Sequence, residues 1–189
     1  MTRIYFVRHA QPDSGVKDDR TRPLTEVGLR DTKEVTAFLC SKNLHFLMSS
    51  PYKRSMDTIK DLAFTLHMAI HTDEDFRERE IGIGYLGDPD QYIRNMWADF
   101  NFKAEGAECL AEVQERNLRG LRKVLAAHNG ENIVIATHGT ALSSILNYYD
   151  PEFQAEAFFR LLLFRPYVIR LDFEGELCVG ITEELLIER

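Results

Sequence analysis

Arg3-Ile4-Tyr5-Phe6-Val7-Arg8-His9-Ala10 contains four consecutive apolar residues that stop at an arginine beside a histidine. The run shows no polar/apolar alternation, so it predicts a short strand buried on both faces, as in a parallel sheet covered by helices. In open α/β sheets, ligands bind beyond the carboxyl ends of the strands, where Arg8 and His9 stand. A planar guanidinium there can hold phosphate oxygens in bidentate fashion, and a neutral imidazole beside it has the chemistry of a covalent nucleophile. Taken alone, an Arg-His pair at a strand end reads more simply as a solvated terminus. The rest of the chain decides between the two.

The same logic recurs at Asn132-Ile133-Val134-Ile135-Ala136-Thr137-His138-Gly139, an apolar strand ending in a histidine. A strand-to-helix turn at that point offers backbone N–H groups to an anion. A further short strand, 45–50, breaks at Pro51, and the helix after it carries Tyr52, Met56, Ile59, Ala63 and Leu66 on one face. Arg54 falls in its first turn, where the helix dipole disfavours a cation; a bound anion removes the conflict. Helical patterns are also expected from the Thr25 N-cap to about Cys40, within 88–101, over 108–128, 140–149 and 153–163. Residues 68–72 add a strand, and 167–173 and 177–182 form a hairpin. Together these predict one domain over residues 1–189: a three-layer α/β/α sandwich with a mostly parallel central sheet and an antiparallel C-terminal edge.

A chain of 189 residues with 44% hydrophobic and 28% charged residues is ordinary for a globular protein. A net charge of −7 argues against partnership with nucleic acid or an anionic membrane surface. No apolar stretch reaches membrane-spanning length, and Ile4–Val7 is too short for a signal peptide. Cys40, Cys109 and Cys178 lack C-x-x-C spacing and read as reduced cysteines, so a cytoplasmic location is expected. Nothing in the sequence calls for a metal or other cofactor. His67 and His71 have a four-residue spacing, but they straddle a helix end and lack the glutamate of H-E-x-x-H.

Strand ends therefore supply Arg8, His9 and His138, and the Ser49-Ser50-Pro51 turn leads to Arg54. A charge-dense loop, 73–80, followed by the glycine-rich 81–87, can bring a carboxylate such as Glu78 to the same edge. Arg20 and Arg22, in the loop 11–23, are within reach of that edge, but a solvated charged loop is the simpler reading of both. Cations, imidazoles and one carboxylate in one crevice fit phosphoryl transfer.

At this point the chain resembles the histidine phosphatase superfamily, also called the phosphoglycerate mutase-like family. Arg8-His9-Ala10 is similar to its R-H-G signature, and Pro23-Leu24-Thr25-Glu26-Val27-Gly28 to P-L-T-x-x-G. The stretch Ser49-Ser50-Pro51-Tyr52-Lys53-Arg54, continuing to Thr58, resembles S-S-P-x-x-R-x-x-x-T. Phe76-Arg77-Glu78 with Gly82 resembles L-R-E-x-x-x-G, Gly106-Ala107-Glu108 stands where G-E-S is common, and Thr137-His138-Gly139 resembles S-H-G. The resemblance implies His9 as the phosphorylated nucleophile, Arg8, Arg54 and His138 as the phosphate pocket, and Glu78 as the proton donor. Ala10 replaces the usual glycine, and Gly15 falls where many members have an asparagine, leaving Gln11 or Ser14 to supply that donor.

The expected activity is hydrolysis of small phosphorylated metabolites. A phosphoglycerate mutase-type transfer and a non-catalytic module that binds phosphorylated ligands are the alternatives. A cysteine phosphatase needs C-x5-R, whereas Cys109 has Glu115 at that offset. An aspartyl-phosphate enzyme needs D-x-D directly after an apolar strand, whereas Asp88-Pro89-Asp90 follows a glycine-rich loop.

Overall fold

The apolar run 4–7 lies in strand β1 (Thr2–Arg8), and β4 (Asn132–Thr137) pairs parallel to it with Arg8 opposite Thr137. The structure, a computed structural model, describes residues 1–82 and 87–189; the glycine-rich loop expected at 81–87 thus falls in part outside the described residues. Strand β2 (Phe46–Ser49) pairs parallel to the other edge of β4, and β3 (Ile70–Thr72) pairs parallel to β2. On the far side of β1, β5 (Phe164–Glu174) and β6 (Leu177–Glu188) run antiparallel, giving the order β3-β2-β4-β1-β5-β6.

Helices on both faces explain why β1 lacks alternation. Tyr5 and Val7 pack with Val35 and Leu39 of α1 (Glu26–Leu39) and Ile59 and Leu62 of α2 (Lys53–Leu66). Ile4 and Phe6 pack on the opposite face with α4 (Leu110–Ala127) and α5 (Gly139–Tyr149). A smaller cluster joins Tyr92, Met96 and Trp97 of α3 (Pro89–Ala98) to Phe158 of α6 (Ala155–Leu162). The architecture is the expected mostly parallel α/β sandwich, with an antiparallel C-terminal edge.

The two antiparallel strands are longer than the sequence pattern predicts, and each difference has a physical cause. Pro166 lacks an N–H and so suggests a strand start at Tyr167. The β5–β6 register shifts between Phe164 and Tyr167, and this irregularity accommodates the proline. Glu183 and Glu184 read as a polar stop after Thr182. They remain in the strand because Arg160 and Tyr167 bind Glu183, and Arg170 binds Glu184.

Gly28 ties α1 to the loop after β1. The Thr25 side chain caps the helix by accepting from the Gly28 N–H, and Thr25 N–H donates to Gln11 O. A Cβ on Gly28 would stand 2.4 Å from the Gln11 carbonyl oxygen. Helix propensity alone favours alanine there by about 1 kcal/mol. The backbone clash outweighs it, so Gly28→Ala is expected to destabilise the protein by about 1–3 kcal/mol, read from the urea midpoint at unchanged slope. A more stable variant would contradict this close approach.

Candidate active site

The parallel pairing of β1 and β4 brings their two terminal histidines together. His9 N–H donates to Thr137 O, and the His9 and His138 ring centroids lie 5.2 Å apart. His9 Nδ1 sits 2.7 Å from Ala10 O, an acceptor, while Arg54 Nε donates to His9 Nε2 at 3.2 Å. These two partners assign the tautomer: the proton is on Nδ1 and the lone pair on Nε2. Burial, then Arg54 and Arg8, hold the His9 imidazole well below its ordinary value, so the ring is neutral. His138, pushed the same way by burial and by His9, places Nε2 2.7 Å from Ser50 Oγ. The S-S-P turn therefore orients the second imidazole through Ser50, whose N–H continues the β2–β4 pairing by donating to Ala136 O.

Arg8 points back over the sheet edge and donates to the carbonyls of Leu161 and Phe164, both at 2.8 Å. Its Nε is buried without a hydrogen-bond partner. Burial and the nearby Arg165 draw its pKa down to about 9, which leaves it charged at neutral pH. Arg54 meets the anion that its place in the first turn of α2 called for. Asp19 bonds its guanidinium through both the backbone oxygen and the carboxylate, and also pairs with Arg22.

Glu78 sits against the N-terminus of α5, its carboxylate accepting from the N–H groups of Thr140, Ala141 and Arg79 at 2.9–3.2 Å. The loop that carries it is fastened from behind. Glu108 binds Arg77 at 2.6 and 2.8 Å and Arg116 at 2.9 and 3.1 Å. Both arginines also donate to Glu78 O, and Thr137 Oγ1 donates to Phe76 O.

Arg8, His9, Arg54 and Glu78 line one cavity of about 240 Å³, together with Pro12, Asp19, Arg22, Ile81, Gly139, Thr140, Leu162 and Arg165. His138 lies buried behind His9. Gln11 does not join them: its side-chain oxygen accepts from Thr25 Oγ1, and Ser14 and Gly15 lie exposed. Of the two loop arginines, Arg22 reaches the cavity and Arg20 pairs with Glu74 instead. Ala10 is fully buried, donates its N–H to Thr58 Oγ1 and has no positive φ, so glycine is not required there.

Asp88 of the D-x-D pattern merely caps α3, and Cys109 caps α4. His67 takes the left-handed cap of α2 while His71 stacks on Phe46; no group of three His, Cys, Asp or Glu disposed to hold a metal occurs among the described residues. Asp19, Arg116 and Arg165 are site residues that the sequence patterns did not single out. Arg165 did carry a signal: like Arg8, it follows an apolar run, here 161–164.

Residues 4–180 match the family model of the histidine phosphatase superfamily (branch 1). The chain belongs to that superfamily. This histidine phosphatase superfamily chain is 28% identical over 162 residues to the uncharacterized phosphatase PhoE of Bacillus subtilis (strain 168), covering 82% of each chain. It is 24% identical over 159 residues to a probable phosphoglycerate mutase GpmB of Proteus mirabilis, covering 78% of this chain and 74% of that one. Among solved structures, a phosphoserine phosphatase mutant of Entamoeba histolytica in complex with phosphoserine superposes with a TM-score of 0.80. That pair shares 17% identity with 97% of both chains covered, a likeness of fold.

The Glu108 network gives the superfamily member a defined acid sensitivity. Burial alone would raise the Glu108 carboxyl, but bonds from Arg116, Arg77 and the Glu80 N–H overcome it and hold the group at about 2, against 4.5 ordinarily. The folded value lies below the unfolded one, so its stabilisation is complete above about pH 4.5 and fades as the pH falls towards 2. Glu108→Gln leaves the buried Arg116 and the half-buried Arg77 short of a partner and should cost about 3 kcal/mol at neutral pH. The stability gap between wild type and variant should narrow in acid. A gap of equal size at about pH 3 and at neutral pH would contradict the account.

Proposed function

We propose that the protein hydrolyses small phosphomonoesters through a covalent phosphohistidine at His9, with no metal or other cofactor. The observation that carries this reading is the locked His9 tautomer, which leaves a lone pair on Nε2 at the floor of a cavity lined with arginine. The substrate phosphate displaces Asp19 from Arg54 and draws the Arg54 Nε–H away from His9 Nε2, which frees its lone pair. It takes hydrogen bonds from Arg54 and Arg8, while His138 backs His9 from behind. The two arginines neutralise the equatorial oxygens, the role a metal ion fills elsewhere.

His9 Nε2 then attacks the phosphorus in line with the ester oxygen. A P–N bond forms and the P–O bond breaks, its electron pair passing to the alcohol oxygen, which takes a proton from Glu78. The phosphate dianion competes for the N–H groups at the start of α5 that hold the Glu78 carboxylate. In the second half, Glu78 accepts a proton from water as the water oxygen attacks the phosphorus. Phosphate leaves and His9 returns to its neutral form.

Mutase chemistry is the second reading, favoured by the likeness to GpmB. A mutase must keep its phosphoenzyme from water until an acceptor arrives. Only the segment 84–106 is available here as a cover, and a second cavity of about 400 Å³ shares Asp19, Arg22 and Ile81 with the first. Both features favour hydrolysis. Phosphatase neighbours in fold, one named for glucosyl-3-phosphoglycerate and one in complex with 3-phosphoglyceric acid, support a small phosphorylated metabolite as substrate.

Rapid-quench labelling tests the scheme with an alkyl and a p-nitrophenyl phosphate. Wild type should form an acid-labile, base-stable label from both esters, and His9→Ala from neither. Glu78→Gln should form it slowly from the alkyl ester, by about 10²–10⁴-fold, and close to normally from the aryl ester, whose leaving group needs no proton. A label that survives His9→Ala would overturn the assignment.

A further inference from the structure

Two arginines that line the cavity, Arg8 and Arg165, each keep a buried Nε without a hydrogen-bond partner. Tyr167 stands opposite Arg8 in the β1–β5 pairing, and Arg165 precedes it by two residues, at the start of β5. Arg8 is fixed to the turn that leads there, because its Nη1 donates to Leu161 O and Phe164 O. That leaves its Nε unspent. Arg165 makes no hydrogen bond or ion pair with any described residue. Its charge lowers the pKa of Arg8 and acts on His9 in the same sense, so the three groups are near neighbours.

Two carboxylates line the same cavity, and both are committed elsewhere. Asp19 bonds Arg54 and Arg22, and Glu78 accepts from the N–H groups of Arg79, Thr140 and Ala141. Glu78 acts on Arg8 from beyond hydrogen-bond reach, and more weakly than Arg165 does. A chain of net charge −7 thus leaves two adjacent, desolvated cations without a counterion among the described residues. Desolvation and mutual repulsion make such a pair costly. A fold tolerates that cost at a site where a ligand offsets it.

His9 shows where that ligand sits. Arg54 approaches the ring from α2, on the β2–β4 side of β1, and donates to Nε2. Arg8 and Arg165 stand on the other side, where β5 flanks β1. A phosphoryl group placed on Nε2 therefore meets guanidinium groups from both sides.

We propose that Arg165 is a further catalytic residue, which holds the equatorial oxygens of the transferred phosphoryl group together with Arg8. Its planar fork matches two oxygens of one phosphate. It stays protonated throughout and supplies only hydrogen bonds and charge. The inference rests on the phosphomonoesterase reading for the fate of the phosphoryl group, and it adds a third arginine to Arg8 and Arg54.

The test measures inorganic phosphate binding by calorimetry in the otherwise wild-type protein. Arg165→Met keeps the apolar stem and should weaken that binding by roughly 10- to 100-fold, the scale of one charge-assisted hydrogen bond. Without phosphate, the same variant should unfold at a higher urea concentration, because an uncompensated cation is gone. Arg165→Gln should weaken phosphate binding likewise. Values of kcat/KM should fall by similar factors for p-nitrophenyl phosphate and glycerol 1-phosphate, which have only the phosphoryl group in common.

Unchanged phosphate affinity in the variants would overturn the proposal while leaving the phosphomonoesterase reading intact. A loss confined to one ester would place Arg165 against the alcohol portion and overturn it as well. Weaker binding joined to a lower urea midpoint in Arg165→Met would make the residue structural, which is a third contrary result. If no ester is hydrolysed but phosphate binding depends on Arg165, the phosphate contact stands and the phosphomonoesterase reading fails.

Discussion

The parallel pairing of β1 with β4 is the constraint on which the site depends. The register that sets Arg8 against Thr137 delivers His9 and His138 side by side at one sheet edge. Neighbouring β2, paired to β4 with Ser49 against Ala136, brings Ser50 to His138 and starts α2 where Arg54 can reach His9. Antiparallel β5, on the other side of β1, starts beside Arg8 and supplies the Phe164 carbonyl and Arg165. A one-residue slip in the first pairing would turn the apolar side chains of β1 from one core to the other. Burial on both faces therefore protects the chemistry as well as the fold.

That edge concentrates positive charge in a chain that is acidic overall. Imidazoles placed among buried guanidinium groups do not take up a second proton, and the site keeps both histidines neutral. Neutrality is what makes a histidine nucleophilic. The arginines thus serve two ends with one charge: they attract a phosphate, and they keep the His9 lone pair unprotonated. Opposite them, Glu78 is held by N–H groups of α5 and by a loop tied down through Arg77, Arg116 and Glu108. A buried network of this kind holds the carboxylate in a fixed direction, which proton transfer to a leaving oxygen requires.

Much of this was legible in the residues themselves. The run 4–7 and its counterpart 133–136 announced buried parallel strands, and Arg8, His9, Arg54, Glu78 and His138 belong to local motifs that keep their spacing along the chain. Contacts made by tertiary proximity left no such trace. Asp19 lies in a mixed-charge loop where Asp18, one residue earlier, offers the same carboxylate to Arg54. Arg116 is one of several charged residues on α4, and only packing against the loop of Glu78 distinguishes it. Arg165 sits before a proline that argues against a strand, and the irregular β5–β6 pairing that admits it is not a local property. Gln11, the substitute considered for the missing asparagine, is drawn to Thr25 by the geometry of the α1 cap.

The central claim is that His9 is a neutral imidazole with its proton on Nδ1 and its lone pair on Nε2. Ring nitrogen-15 shifts of His9, assigned by comparison with His9→Ala and followed from about pH 8 to about pH 5, measure this directly. The account predicts a protonated Nδ1 and an unprotonated Nε2 throughout, with no titration near 6.5, the ordinary value for histidine. An imidazolium forming with a midpoint near that value, or a proton resident on Nε2, would contradict it.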